Sequence, residues 1–255
     1  MHFLAINGSH RGDKGWTRFL IDRLLSGALG AGATGEVVTL SKLKINRCLS
    51  CYHCQNEEPH LQCLYHERDD AAMVFEKMAE ADMLVFATPV YLMNMSGLFK
   101  TFLDRLYSTM NIRDMSLTAS GLIHHHINPA ISSKPFVTLV TCSNLEDESY
   151  RNVTAYFRTY ARFMDARQAG VLVRNATPLL DYDREHPGQT AFPRVAEVYR
   201  AYEQAGSELA RQGFISPSTQ RRANQELIAF PFFRVLKYLR PIKRIVIARS
   251  GSILV

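Results

Sequence analysis

Apolar residues along the chain fall into two alternating patterns. Short, nearly continuous apolar runs, typical of strands covered on both faces, occur at residues 2–7, 36–40, 83–90, 136–140 and 170–173. Between them lie stretches with apolar residues three or four apart, typical of amphipathic helices, at residues 16–25, 69–81, 98–107, 147–164 and 191–212. Because strands and helices alternate, the pattern predicts an α/β fold with a doubly wound parallel sheet. Five strands fit the flavodoxin-like order 2-1-3-4-5.

Two stretches interrupt this rhythm, and we expect both near the ligand crevice at the carboxyl ends of the strands. Residues 47–68 follow the second strand and contain four of the five cysteines. Residues 111–133 precede the fourth strand and are predicted to form a loop, in which the run from His124 to His126 lies in solvent.

The charge distribution separates the end of the chain from the rest. Residues 1–213 are predicted to form the domain, and residues 214–255 a basic, apolar C-terminal extension with eight Lys or Arg against one acid, Glu226. Packing on this chain or on a second copy is the simplest role for the extension. Peripheral contact with an anionic membrane or with an acidic redox partner stays open. No nucleic-acid-binding module is recognisable in it, so we expect no nucleic-acid partner.

The turn after the first strand, residues 8–17, has the features of an anion site. Small and hydroxyl residues let the backbone approach a ligand, and the following helix offers N–H groups at its positive end. Ser9 and Thr17 can donate hydroxyl hydrogen bonds, and Arg11 and Lys14 can add charged ones. Neither a Walker motif nor Gly-x-Gly-x-x-Gly is present, which argues against nucleoside triphosphates and simple dinucleotides.

The segment after the third strand, residues 87–107, suits a flat ring. Its strand is predicted to end at Thr88 and to break at Pro89, leaving a loop from Val90 to Met95 before a helix capped by Ser96. Tyr91 and Met93 offer van der Waals contact, and Asn94 and backbone N–H groups offer hydrogen bonds.

With these two segments the sequence resembles the NAD(P)H-dependent FMN reductase family of flavodoxin-like proteins. The likeness rests on Gly8-Ser9-x-Arg11 with Thr17, and on Pro89-Val90-Tyr91-x-x-Asn94-Met95-Ser96 followed by Lys100 and Phe102-x-Asp104-Arg105. It implies that the FMN phosphate is held by Ser9, Arg11, Gly15, Trp16 and Thr17. It also implies that the isoalloxazine ring is lined by Pro89, Val90, Tyr91, Leu92, Met93, Asn94 and Met95. Residues 141–144 would form a third turn on the flavin.

The resemblance implies an FMN-dependent NAD(P)H oxidoreductase that passes electrons to a quinone, a nitroaromatic, another small molecule or a redox protein. The flavin supplies the chemistry, so we name no catalytic side chain. A homodimer is expected. A cytoplasmic location is expected because the N-terminus lacks a signal-peptide pattern. The alternatives are an iron–sulfur flavoprotein electron carrier and a non-enzymatic flavin-binding interaction module.

The four clustered cysteines, Cys48, Cys51, Cys54 and Cys63, leave several interpretations open. The compact C-x2-C-x2-C run with a later cysteine resembles the iron–sulfur branch of this family, including Asp69-Asp70 after the last cysteine, and implies a [4Fe–4S] cluster. Structural cysteines, a zinc site assisted by histidines and a redox disulfide are the other readings. Cys142, at the end of the fourth strand, is expected to be a small buried residue.

Overall fold

The computed structural model describes residues 1–180, 194–228 and 232–244. Its strands are β1 (His2–Asn7), β2 (Thr34–Thr39), β3 (Met83–Tyr91), β4 (Asn94–Met95), β5 (Met110–Leu117), β6 (Ile123–Ile127), β7 (Phe136–Thr141) and β8 (Gln168–Arg174). Its α-helices are α1 (Trp16–Gly30), α2 (His53–Asn56), α3 (Ala71–Glu80), α4 (Gly97–Asp104), α5 (Pro129–Ser132), α6 (Glu148–Phe163), α7 (Arg194–Gln212), α8 (Pro217–Ala223) and α9 (Phe233–Leu236). The part of the last predicted domain helix before Arg194 lies outside the described residues.

The central sheet confirms the predicted architecture. Its strands follow the order β2-β1-β3-β7-β8, and every pair along this path is parallel. When β4, β5 and β6 are left out of the numbering, this is the predicted 2-1-3-4-5 order. Two buried apolar clusters cover its two faces, one built largely from α1 and α7 and the other from α3, α4 and α6.

The third strand does not end at Thr88, as the sequence suggested. β3 continues through Pro89 to Tyr91 and turns back into β4. Leu84 N donates to Pro135 O beside β7. Because successive residues of a strand direct their N–H groups to opposite sides, even-numbered residues of β3 face β7 and odd-numbered ones face β1. The nitrogen of Pro89 therefore faces β1. The last pair between β1 and β3 is Asn7 with Ala87. Proline therefore removes no sheet hydrogen bond there.

Residues 111–133 are not the predicted loop. β5 and β6 form an antiparallel hairpin, with Leu117 opposite Ile123 and Met110 opposite Ile127. The histidine run lies on β6, so its neighbouring side chains point to opposite faces. Isoleucines at both ends of the run favour a strand, and Gly121 supplies the positive φ of 77° that the turn requires.

The first and last domain helices approach each other at backbone distance. A Cβ atom on Gly27 would lie 1.8 Å from Glu203 O, and one on Gly206 would lie 1.8 Å from Leu24 O. Two glycines thus let α1 and α7 pack together over one face of the sheet. No helix among the described residues has the length and apolar character needed to cross a bilayer.

The described part of the C-terminal extension packs against the outer strand of the sheet. Asn224 Oδ1 accepts from Val173 N, Asn224 Nδ2 donates to Val171 O, and Gln220 Oε1 accepts from Val171 N. These side chains satisfy the backbone groups of the β8 edge, which protects the edge from pairing with another chain.

Candidate functional site

Three turns meet at the carboxyl ends of neighbouring strands. The first turn, residues 8–17, follows β1; the second turn, residues 89–95, contains the end of β3 and β4; the third turn, residues 141–144, follows β7. β3 lies between β1 and β7 in the sheet. The chain reverses its winding direction between β1 and β3, which is where open α/β sheets bind their ligands.

A buried asparagine shapes the first turn. Asn7 is fully buried; its Oδ1 accepts from Ser9 N at 3.1 Å and its Nδ2 donates to Gly12 O at 3.1 Å. Ser9 is also buried, and its Oγ accepts from Arg11 N. The first half of the turn is therefore fixed by the side chains of Asn7 and Ser9.

The cations of the first turn divide into two groups. Asp13 accepts from Arg18 and Thr39 and pairs with Lys42. The hydrogen bond from Lys42 is the main reason why the pKa of Asp13 lies below its usual value. Arg11 and Lys14 are exposed, and neither side chain makes a hydrogen bond or ion pair with the described residues. They are the cations that remain available for an anion.

The start of α1 closes the first turn. Gly15 is the N-cap, and in the described part of the chain no side chain caps this helix. A Cβ on Gly15 would lie 2.9 Å from Ser9 Oγ, so glycine keeps the turn tight. The Trp16 indole is buried in the core and contacts Phe19 edge-on. Trp16 could therefore serve an anion only through its backbone.

A hydroxyl pair joins the first and third turns. Thr17 Oγ1 and Thr141 Oγ1 lie 2.8 Å apart, and both residues are buried. Cys142, the next residue, is buried as expected, and burial raises the pKa of its thiol. The third turn is fixed further by Ala176 N, which donates to Asn144 O.

The second turn is a tight two-residue hairpin in a strained conformation. Leu92 and Met93 have positive φ values of 45° and 59°, which non-glycine residues rarely adopt. Leu92 is 89% exposed, and Tyr91 and Met93 are about half exposed. Asn152 on α6 donates to Met93 O and supports the turn from behind. Strained, exposed apolar residues of this kind are characteristic of ligand-binding turns.

Ser96 ties the second turn to the first. It is fully buried, its Oγ donates to Gly8 O at 2.6 Å, and the same Oγ accepts from Phe99 N as the predicted N-cap of α4. Its amide donates to Thr88 Oγ1. Across the entrance, the His10 and Tyr91 rings lie 5.8 Å apart between centroids.

The residues present fit an FMN molecule. A phosphate needs N–H donors and cations, which the first turn supplies at the start of a helix. A flat tricyclic ring needs apolar contact and a few polar groups, which the second turn supplies through Tyr91, Met93 and Asn94. The links through Ser96 and Thr17 hold the three turns at one crevice.

The four clustered cysteines line one cavity. Cys48, Cys51, Cys54 and Cys63 surround a small space of about 20 Å³ together with Tyr65, Arg105 and Tyr107, among others. Ser50 and Tyr52, on either side of Cys51, have positive φ. The backbone therefore curls around the cavity, in the manner of the concave loops that bind anionic groups. We call this space the four-cysteine pocket.

Acidic side chains close the segment that carries this pocket. Asp69 Oδ2 accepts from Asn46 N, and Asp70 Oδ2 accepts from Lys44 N while Asp70 N donates to Lys44 O. Gln55, fully buried, donates to Met110 O and accepts from Ile112 N, which fastens the segment to the β5–β6 hairpin. The pocket is thus a fixed part of the fold.

The donor set of the pocket is four thiols, the groups whose thiolates hold [4Fe–4S] clusters. Burial is the main cause that raises the pKa of the Cys54 thiol, and the charges of Cys63 and Cys48 add to it. Within the described residues, no three His, Cys, Asp or Glu side chains are arranged for a single metal ion. A [4Fe–4S] cluster is bound differently, because each thiolate binds a separate iron.

Residues 1–143 match the family described as NADPH-dependent FMN reductase, which is more than half of the 255 residues. The chain belongs to this family. The match covers the first two turns and the four-cysteine pocket and reaches into the third turn, and it confirms the resemblance drawn from the motifs at Ser9 and Tyr91.

The curated relatives include iron–sulfur flavoproteins. One from Archaeoglobus fulgidus is 35% identical over 105 residues, covering 41% of this chain and 48% of the relative. One from Methanocaldococcus jannaschii is 33% identical over 105 residues, covering 41% and 50%. The chain spans about half the length of these curated relatives.

Solved structures share the fold. An FMN-dependent NADH-azoreductase from Bacillus anthracis, solved with FMN, superposes with a TM-score of 0.59 at 14% identity, covering 83% of this chain and 100% of that one. An NAD(P)H:quinone oxidoreductase from Methanothermobacter marburgensis gives 0.55 at 16% identity, covering 82% and 98%. At these identities the likeness shows the flavodoxin-like fold alone.

Proposed function

We propose that the chain is an FMN-dependent NAD(P)H oxidoreductase that passes electrons to a small-molecule or protein acceptor. The observation that carries this proposal is the joining of three turns at one crevice by the buried hydroxyls of Ser96, Thr17 and Thr141. Membership of the FMN reductase family supports it. The names of the azoreductase and quinone oxidoreductase neighbours suggest azo compounds and quinones as the first acceptors to assay.

The residues of the first turn would bind the anionic end of FMN. Ser9 and Thr17 would contribute through the turn and helix backbone and through their hydroxyls. Ser9 Oγ accepts from Arg11 N and keeps its hydrogen to donate, whereas Thr17 Oγ1 shares one hydrogen bond with Thr141 Oγ1. Arg11 and Lys14 would supply charge, and Gly15 and Trp16 would supply backbone N–H groups at the positive end of α1. Water would still reach the exposed Arg11, so this contact is screened in part.

The residues of the second turn would orient the ring. Pro89 and Val90 lie at the base of the turn and are partly buried, Met95 is buried, and Tyr91, Leu92, Met93 and Asn94 are exposed at its tip. The tip is therefore placed to cover a ring edge while leaving one face open. Bound FMN supplies a ring that accepts a hydride from a nicotinamide and passes electrons to the acceptor.

Anaerobic reduction tests this function. The full chain, loaded with FMN and freed of excess flavin, is mixed with NADH or NADPH while the flavin absorbance is followed. We expect at least one nucleotide to bleach the flavin, and a quinone or azo dye to restore the colour. Stable FMN binding without bleaching by either nucleotide would favour a flavin-binding interaction module instead.

A second candidate function is an electron carrier with FMN and a [4Fe–4S] cluster. The observation that favours it is that all four clustered thiols line one pocket, and the iron–sulfur flavoprotein relatives support it. Cys48, Cys51, Cys54 and Cys63 would hold the cluster, which would supply one-electron chemistry.

Iron and acid-labile sulfide analysis after anaerobic reconstitution tests the second candidate. We expect the wild type to bind both, a Cys51→Ser variant to lose most of them, and the control Cys142→Ala to retain them. Equal iron in the wild type and in Cys51→Ser would rule out the pocket as the site.

The expected homodimer and the cytoplasmic location stay predictions from the sequence. Light scattering of the purified full chain tests the first, since a dimer gives twice the chain mass. A mass equal to one chain would contradict it.

A further inference from the structure

Arg105 lies buried beside the four thiols. It follows α4 directly, is 2% exposed and lines the four-cysteine pocket. Burial of an arginine is costly unless its charge is matched. The buried position of Arg105 therefore costs free energy that an exposed position would not cost.

The known partners of this side chain use only part of its hydrogen-bonding capacity. Arg105 Nη1 donates to Asp69 Oδ2 at 2.5 Å and to Asn46 O at 3.0 Å, and the guanidinium lies 5.4 Å from the Tyr65 ring centroid. Its Nε atom is buried and has no hydrogen-bond partner in the described part of the chain. The Nε edge of the guanidinium thus remains for a group in the pocket.

The charge in the pocket is of the sign that this edge of the guanidinium would bind. Among the described groups, Arg105 interacts electrostatically with Cys63 as well as with Asp69. Four thiolates would bring more negative charge into the pocket than Asp69 alone carries. Hydrogen bonds to sulfur and the net charge around a cluster are what set its reduction potential.

A second buried donor, whose shorter hydrogen bond is to Met110 O, lies near another of the sulfurs. Gln55 Nε2 lies 3.6 Å from Cys54 Sγ, and Gln55 is fully buried. The pocket therefore has a polar inner layer, built from a cation next to Cys63 and an amide next to Cys54.

We propose that Arg105 is a positioning residue of the four-cysteine pocket, which stabilises the negative charge of a thiolate-bound cluster and raises its reduction potential. This inference rests on the second candidate function. The inference goes beyond that function because it assigns a role to a residue that is not a ligand of the cluster.

The alternative is that the Arg105–Asp69 pair serves only to close the cysteine segment. In that case substitution of either partner would have the same effect on the reduction potential, since each would break the same buried pair. If Arg105 acts electrostatically, the two substitutions would shift the potential in opposite directions. Removal of the cation leaves Asp69 unpaired and makes reduction harder, whereas removal of the anion leaves the cation unpaired and makes reduction easier.

The test is a redox titration of the reconstituted full chain, monitored by the spectroscopic signal of the reduced cluster. Variants are Arg105→Gln, Arg105→Lys and Asp69→Asn, with Arg113→Gln on the exposed face of the hairpin as the control. We expect a lower midpoint potential for Arg105→Gln, a value nearer the wild type for Arg105→Lys, a higher one for Asp69→Asn, and no shift for the control.

A double variant covers the case in which Arg105→Gln fails to fold. Arg105→Gln with Asp69→Asn leaves no buried charge unpaired, and its potential should lie below that of Asp69→Asn alone. A loaded wild type with shifts of the same sign for Arg105→Gln and Asp69→Asn, or with no shift, would overturn this inference and leave the second candidate function intact. A wild type that binds no iron would overturn that function and the inference with it.

Discussion

At the scale of single residues, Gly8 shows how closely the site is packed beneath the first turn. A Cβ on Gly8 would lie 2.5 Å from Phe99 Cδ2 and 2.7 Å from Phe99 Cβ. Phe99 is fully buried in the core and cannot move aside freely. We expect Gly8→Ala to destabilise the fold by about 1–3 kcal/mol, as overpacked cores do, and to weaken FMN binding.

Thermal unfolding and an FMN titration measure both effects, with Gly97→Ala as the matched control. A Cβ on Gly97 meets nothing within 4 Å, so this change should stay within about 0.5 kcal/mol of the wild type. If Gly8→Ala unfolds at the wild-type temperature, the packing of the first turn against α4 is not as described.

Arg11 is the residue whose substitution tests the phosphate contact. Charged hydrogen bonds contribute about 1.5–3 kcal/mol, and the exposure of Arg11 places this one at the low end. We expect Arg11→Ala to raise the Kd for FMN roughly tenfold and to leave folding unchanged. Arg113→Ala, another exposed arginine, should leave the Kd unchanged; equal Kd values for Arg11→Ala and the wild type would remove Arg11 from the site.

The sequence could predict side chains whose role is local. Ser96 was recognised as an N-cap because capping follows from its position before α4. Its second bond, to Gly8 O, joins residues 88 positions apart and has no local signal. The Thr17–Thr141 pair has no local signal for the same reason, since it joins residues that only the sheet order brings together.

At the scale of elements, Lys237 anchors the extension near the third turn. It is 4% exposed, and its Nζ donates to Asp147, Glu226 and Leu145 O. Burial acts to raise the pKa of Asp147, but the hydrogen bond and charge of Lys237 outweigh it, so this pKa lies below its usual value of 3.8. The pair therefore stabilises the folded state fully above that value and is lost as the pH falls through the folded pKa.

We predict that acid releases residues 232–244 before the sheet unfolds. Hydrogen exchange followed by mass spectrometry, at about pH 6 and at about pH 3, should show loss of protection in this segment at the lower pH. A Lys237→Gln variant should lack this protection at both values. Protection that is the same at both pH values in the wild type would contradict the role of the pair.

Elements with a strong repeating pattern were the ones that the sequence predicted well. The domain helices follow from helical spacing, and the strand order follows from the flavodoxin-like fold that five alternating strands fit. The continuation of β3 through Pro89 was missed because it depends on β1 having already ended beside it. The β5–β6 hairpin was missed because its polar strands pair chiefly with each other, outside the central sheet.

At the scale of the whole molecule, the candidate site exists only when the sheet is assembled. Its three turns follow β1, β3 and β7, which are far apart in the chain and neighbours in the sheet. Gly27 and Gly206 let α1 pack closely on α7 over one face of this sheet. The four-cysteine pocket sits in a separate segment, which Asp69 and Asp70 close at its base.

Titration of the purified full chain with FMN and, separately, with riboflavin tests the central claim most directly. Both carry the same ring, but only FMN carries the phosphate that the first turn would bind. Followed by flavin fluorescence, the account predicts saturable binding of one FMN per chain and clearly weaker binding of riboflavin. Failure to bind FMN, or equal affinity for both flavins, would contradict it.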